Sequence, residues 1–140
     1  MPTLEAFRNA VEDLNRKFPR PELVLITGEP WDLCTQFATH FPDSESPGIY
    51  ALIAGNGIDV LRIGKAQCLG YRLGAYFKRA DGQRERGIAK HPGYKNARYV
   101  VTVPLPIGRA FEAPSVEEFL LGQFRWDPPS LNKILGRFED

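Results

Sequence analysis

At 140 residues the chain is long enough for one domain with a modest core, and its 43% apolar content comes without any long apolar run, which argues against a membrane-spanning helix. A net charge of +1 at pH 7 says nothing by itself about nucleic acid, and the two cysteines, Cys34 and Cys68, lack CxxC spacing or a neighbouring histidine, which argues against a disulfide framework or a thiolate metal site. Met1 to Arg20 mixes charged and apolar residues and does not read as a secretory signal, so a cytoplasmic protein with reduced thiols is expected.

Leu4, Phe7, Val11 and Leu14 recur at spacings of three and four and predict a helix with one apolar face. Thr3 is its candidate N-cap, and Pro19 and Pro21 end it. Leu23 to Ile26 is a short apolar run, a candidate strand stopped by Gly28 and Pro30. Trp31 to Phe41 is expected to be helical, with Leu33, Phe37 and Phe41 inward, and Pro42 to Pro47 is polar and breaker-rich, a loop or linker. Two apolar segments, Ile49 to Ala54 and Ile58 to Ile63, then flank Gly55-Asn56-Gly57, residues that accept positive φ, which predicts a hairpin. Strand alternation puts Ile58, Val60 and Arg62 on one side and Asp59, Leu61 and Ile63 on the other. Leu69 to Arg79 reads as a helix despite Gly70 and Gly74, and Asp81 to Asn96 as a basic, polar loop with a short helical turn. Tyr99 to Leu105 is a strong strand candidate whose end Pro104 and Pro106 mark. Ser115 with Glu118 three residues on forms a capping-box pattern opening a last helix, which Asp127-Pro128-Pro129 stops.

Charge is unevenly spread. Arg62, Lys65, Arg72, Lys78, Arg79, Arg84, Arg86, Lys90, Lys95 and Arg98 fall in one segment opposed by Asp81 and Glu85, whereas the first 47 residues lean acidic. Such a surface can track phosphates or be an ordinary solvated face. Phosphodiester hydrolysis needs an aligned water, a countercharge for the phosphorus centre and a stabilised leaving oxygen. A carboxylate-held divalent ion and a guanidinium supply the electrostatic part. A tyrosine beside cations can act as a base or orient the water. Tyr50, Lys65, Arg72, Tyr76 and Glu117 or Glu118 are residues of these types, and Arg72 and Tyr76, four apart, share one helix face. If Ser115 caps the last helix, Glu118 has the capping role and Glu117 is the better metal candidate. Taken singly, each has an ordinary structural explanation: Tyr50 as a sheet residue, Arg72 and Tyr76 as a solvated face, Glu117 as a favourable charge near a helix N-terminus.

The ordered set goes further. Gly48-Ile49-Tyr50, Arg62-Ile63-Gly64-Lys65-Ala66, Leu69, Arg72-Leu73, Tyr76-Phe77, Glu117 with Leu120-Leu121, Pro128-Pro129 and Leu131-Asn132 together resemble the GIY-YIG nuclease superfamily over roughly residues 47 to 132. The resemblance implies that Tyr50 takes part in water activation, that Arg72 faces the scissile phosphate, that Lys65 and Tyr76 assist, that Glu117 binds metal, and that Asn132 lies near the site. Arg62 stands where the family's second motif begins with tyrosine, leaving Tyr50 to take the role or Arg62 to lower the Tyr50 pKa.

The expectation is therefore an α/β domain of GIY-YIG type: a small, mainly antiparallel three-stranded sheet flanked by helices over residues 47–140. Residues 1–46 form an N-terminal helical extension, packed on that core or used for a homodimer or protein partner. The expected function is a Mg²⁺- or Mn²⁺-dependent DNA endonuclease in a repair, mobile-element or restriction context, with Arg62, Lys78, Arg79, Lys90 and Lys95 touching DNA, no membrane contact, and Glu118 and Asn132 as further site candidates. The alternatives are a catalytically inactive nucleic-acid-binding module on the same fold and a protein-interaction domain.

Overall fold

The computed structural model describes residues 2–124. The chain forms helix α1 (Leu4–Lys17), strands β1 (Trp31–Asp32), β2 (Gly48–Ala54) and β3 (Val60–Ala66), helix α2 (Leu69–Tyr76), strands β4 (Phe77–Ala80), β5 (Gln83–Ala89) and β6 (Ala97–Pro104), and helix α3 (Ala113–Gly122). Short 3₁₀ turns occupy Pro92–Tyr94 and Ala110–Glu112. The main sheet is antiparallel in the order β1-β6-β2-β3, and β4 and β5 make a separate two-stranded sheet.

The GIYALIA segment becomes β2 because it is paired on both edges, by β3 and by β6, and its side chains are buried on both faces. One face, carrying Ile49, Ala51, Ile53, Val60, Ile63, Val101 and Val103, packs against α1 and α3. The apolar stripe of α1 (Leu4, Phe7, Val11, Leu14) is spent there, and Thr3 caps the helix by accepting from the Ala6 N–H at 3.1 Å. The opposite face, carrying Tyr50, Leu52, Ala66 and Val100, packs against Leu69, Leu73 and Tyr76 of α2, with Trp31, Leu33, Phe77 and Tyr94.

The hairpin turn forms as its residues predict. Gly57 takes a φ of 74°, and the Asn56 carboxamide oxygen accepts from the N–H groups of Ile58 and Asp59 at 2.8 and 3.1 Å. The predicted alternation along β3 needs correction. A bulge between the Leu52–Arg62 and Ile53–Val60 pairs takes Leu61 out of register, so Val60 and Ile63 share the α1–α3 face while Arg62 faces the tyrosines.

Five further expectations are corrected. The main sheet has four strands, not three, because Trp31 and Asp32 pair with Val100 and Tyr99. Trp31 to Phe41 is accordingly not a helix. Its spacing of four reflects loop residues packed as an aromatic cluster, with Trp31–Phe41 centroids 4.9 Å apart and Phe37–Phe41 5.9 Å, and the Asp32 carboxylate caps the turn by accepting from the Cys34 N–H at 2.8 Å. Leu23 to Ile26 joins no sheet; the Asn15 side chain satisfies both backbone groups of Leu25, at 2.8 and 2.9 Å. Much of the basic loop is the β4–β5 hairpin, into which α2 runs at Tyr76, three residues earlier than its pattern suggested. Gly87 of that hairpin lies where a Cβ would stand 2.3 Å from the Phe37 ring, and its N–H donates to Leu33 O at 2.7 Å, so the hairpin is anchored by a distant loop rather than by an apolar alternation of its own. Finally, α3 begins at Ala113 out of a 3₁₀ turn, with Ser115 inside its first turn rather than at its cap.

Among the described residues no helix is long and apolar enough to cross a membrane.

Candidate active site

Tyr50 sits mid-strand on β2, opposite Gly64 on β3 and Thr102 on β6. Its ring crosses Gly64 so closely that a Cβ there would lie 2.2 Å from the phenol oxygen. Only glycine leaves that space, and it aims the phenol across the edge strand toward α2. There its hydroxyl meets the Tyr76 hydroxyl at 2.5 Å, with ring centroids 5.5 Å apart and edge-to-face. Tyr76 in turn packs edge-to-face on Tyr94 at 5.1 Å and accepts a hydrogen bond from Arg62 Nε at 3.3 Å. Tyr50, Tyr76 and Tyr94 are at most 1% exposed and Arg62 is 8% exposed, so this is an internal polar network.

Burial raises the Tyr50 pKa well above the ordinary phenol value, with Tyr76 adding to the rise; the charges of Arg62 and Arg72 pull it down without overcoming burial. The expectation that Arg62 lowers the Tyr50 pKa thus holds for the sign of that one contact but not for the net effect. Burial also works against the Arg62 charge, but Tyr76 and Tyr50 outweigh it and its pKa stands raised.

Lys65 and Glu117 come from the other sheet face. Glu117, on α3, has a side chain 18% exposed and pairs with Lys65 Nζ at 3.6 Å, whereas Glu118 points to solvent. The capping argument that separated Glu117 from Glu118 does not hold, because Ser115 is not the cap; it is helix phase that turns Glu117 toward β3.

Because β3 is an edge strand, the two faces meet around its end. There a cleft of about 660 Å³ lies between the β3–α2 connection and the start of α3, its wall including Lys65, Cys68, Tyr71, Arg72, Phe111 and Pro114. Arg72 is half-buried and bridges the two parts of the site: it lines the cleft, and its charge acts on Tyr50 behind it. Glu117 is tied to the cleft through Lys65. Tyr76, one helical turn from Arg72, lies in the buried layer rather than at the cleft wall.

The other predicted residues separate. Lys78 and Arg79 on β4 are exposed, as are Lys90, whose Nζ donates to Gly74 O at 2.8 Å, and Lys95 after the 3₁₀ turn. Arg62 is interior and does not belong to that exposed set. Asn132, with Pro128, Pro129 and Leu131, lies outside the described residues. Tyr94, Tyr71 and Phe111 escaped sequence reasoning. Tyr94 sits in a 3₁₀ turn with no apolar periodicity to flag it, and Tyr71 and Phe111 look like ordinary members of a helix and a loop.

Among the described residues, no three of His, Cys, Asp and Glu gather as a metal cage. Glu117 is a single hard oxygen donor, paired with the cleft cation Lys65. One carboxylate is the least that Mg²⁺ or Mn²⁺ takes from a protein, the remaining oxygens then coming from waters and a substrate phosphate.

Neither protein-family models, nor curated proteins, nor solved structures give a match to this chain.

Proposed function

We propose that the chain is a metal-dependent DNA endonuclease of the GIY-YIG type, hydrolysing phosphodiester bonds at the β3–α2–α3 cleft. The observation that carries the reading is Arg72: it lines a cleft shared with Lys65, the partner of Glu117, while its charge reaches the buried phenol of Tyr50. The motif order that resembles the family is the second support.

In this reading the scissile phosphate enters the cleft and Lys65 and Arg72 neutralise it. Glu117 would hold the divalent ion, which when bound would supply Lewis-acid stabilisation of charge on the phosphorus centre. With its pKa raised, Tyr50 stays a neutral phenol, so its role is to hold and orient through the Tyr50–Tyr76 hydrogen bond rather than to remove a proton. Arg62 fixes Tyr76 and so takes the place that a second-motif tyrosine would have in that network. Water attacks phosphorus and gives a proton to solvent or a phosphate oxygen, the P–O bond to the leaving oxygen breaks, and that oxygen takes up a proton from solvent and departs as an alcohol.

The raised Tyr50 pKa and the presence of Arg62 also favour a second reading, a non-catalytic DNA-binding module on the same scaffold. Binding and cleavage of single-stranded, duplex and branched DNA, measured with and without Mg²⁺ or Mn²⁺, separate the two. The endonuclease reading requires metal-dependent strand scission; salt-sensitive binding with no scission supports the module instead.

A further inference from the structure

The cleft carries two aromatic rings that no part of the hydrolytic scheme uses. Tyr71, on α2 beside Arg72, is 84% exposed, and Phe111, in the 3₁₀ turn before α3, is 74% exposed, yet both line the cleft. Tyr71 is the side chain that α2 turns outward, in contrast to its buried neighbours Leu69 and Leu73. Each is a large apolar surface left in water at some cost, and the two lie in one cavity wall together with Lys65 and Arg72.

Rings and cations in one cleft match one ligand chemistry. A nucleobase offers a π-face to an aromatic side chain, and the attached phosphate offers negative charge to a guanidinium or ammonium. A base stacked within a duplex has no free face, so the rings are useful only to a base that has left the stack. The volume of about 660 Å³ is within the range of small-ligand sites and so has room for a nucleotide.

We propose that Tyr71 and Phe111 form a stacking platform for an unpaired nucleotide next to the phosphate held by Lys65 and Arg72, and that the protein therefore prefers DNA with a single-stranded or unpaired position over a continuous duplex. This rests on the reading of the cleft as a DNA site but not on catalysis.

The test is metal-free binding of the full chain, in EDTA, to three oligonucleotides containing 2-aminopurine: a single strand, a duplex with one unpaired 2-aminopurine, and the fully paired duplex. The expected result is a change in 2-aminopurine fluorescence on binding the first two, and tighter binding to them than to the paired duplex. Tyr71→Ala and Phe111→Ala should each reduce that preference by about tenfold, the loss of one base–aromatic stack. Because both rings are exposed, their removal leaves the fold intact, which circular dichroism checks; Ile107→Ala, equally exposed at 76% but not lining the cleft, serves as the control that keeps the preference. Equal affinity for paired and unpaired DNA, or a preference unchanged in both ring variants, overturns the platform even if the wild type cuts DNA. Stacking without any metal-dependent cutting supports the platform and removes the nuclease reading alone.

Discussion

Replacing Gly64 by alanine tests the geometry on which the site depends. The added Cβ would stand 2.2 Å from the Tyr50 hydroxyl oxygen and 2.3 Å from Cζ. The ring has no easy retreat, being 1% exposed, bonded to Tyr76 at 2.5 Å and backed by the Tyr76–Tyr94 stack at 5.1 Å. Either β3 shifts or the phenol swings off its partner and leaves buried hydroxyls apart. Overpacking of this kind costs about 1–3 kcal/mol and a lost buried hydrogen bond about 1 kcal/mol, so about 3 kcal/mol in all. With a urea m-value of about 2 kcal/mol/M, the unfolding midpoint falls by about 1.5 M. Gly74→Ala is the matched control: nothing lies within 4 Å of its Cβ position, and as a helix-interior site in α2 it should gain up to about 1 kcal/mol. Tyr50→Leu in the Gly64→Ala background should cost less than the two single changes summed, since the clash is between those two residues. Equal stabilities for Gly64→Ala and Gly74→Ala would refute the argument that Gly64 exists to admit the Tyr50 ring.

Other outcomes follow from the same structure. Glu112, 7% exposed, is held by both Arg20 and Arg109 and so ties the chain after α1 to the start of α3; Glu112→Ala removes the carboxylate from two half-buried guanidiniums, Arg109 keeping its bond to Pro21 O, and should cost about 2–3 kcal/mol, read by urea unfolding. The Asp32 carboxyl is held below its usual range: burial opposes the shift, but hydrogen bonds from Arg98 and the Cys34 N–H outweigh it. Its contribution to stability is present above about pH 4 and is lost as pH falls through the lower folded-state value, so Asp32→Asn should flatten the acid limb of a stability–pH curve. Tyr50, raised by burial, has the opposite sign: its contribution is intact below about pH 10 and erodes above it, and in an ultraviolet titration of the folded protein its phenol should ionise only beyond the ordinary tyrosine range, a signal that Tyr50→Phe removes.

What was legible in the sequence, and what was not, divides along the range of the interactions. The α1 stripe, the Gly55-Asn56-Gly57 turn and the β2 and β6 strands are local patterns, and each element formed close to where its pattern lies. Trp31–Asp32 became a strand because of a partner 66 to 69 residues away, Asp32 with Arg98 and Trp31 with Val100, which no window around Trp31 contains. The β4–β5 hairpin shows no alternation because its strands are largely solvent-facing, and its seat is the ring of Phe37 on Gly87. For the site, the motif order drew attention to Tyr50, Lys65, Arg72, Tyr76 and Glu117, but not to their layering. That layering comes from the β3 bulge, which turns Arg62 inward, and from the edge position of β3, which lets Lys65 and Arg72 share a cleft from opposite faces. Burial of the tyrosines is likewise a tertiary fact, and it outweighs the lowering effect of the neighbouring cations on the Tyr50 pKa.

The most direct test of the central claim is single-turnover cleavage of DNA by wild type, Arg72→Ala and Glu117→Ala, with Mg²⁺ and in EDTA, alongside binding of each to the same DNA in EDTA. The account predicts metal-dependent cutting by wild type and a fall of about a hundredfold or more in both variants, while Glu117→Ala still binds. Folded wild-type protein that binds DNA but cuts none of the single-stranded, duplex or branched forms, or variants that cut at the wild-type rate, would contradict it.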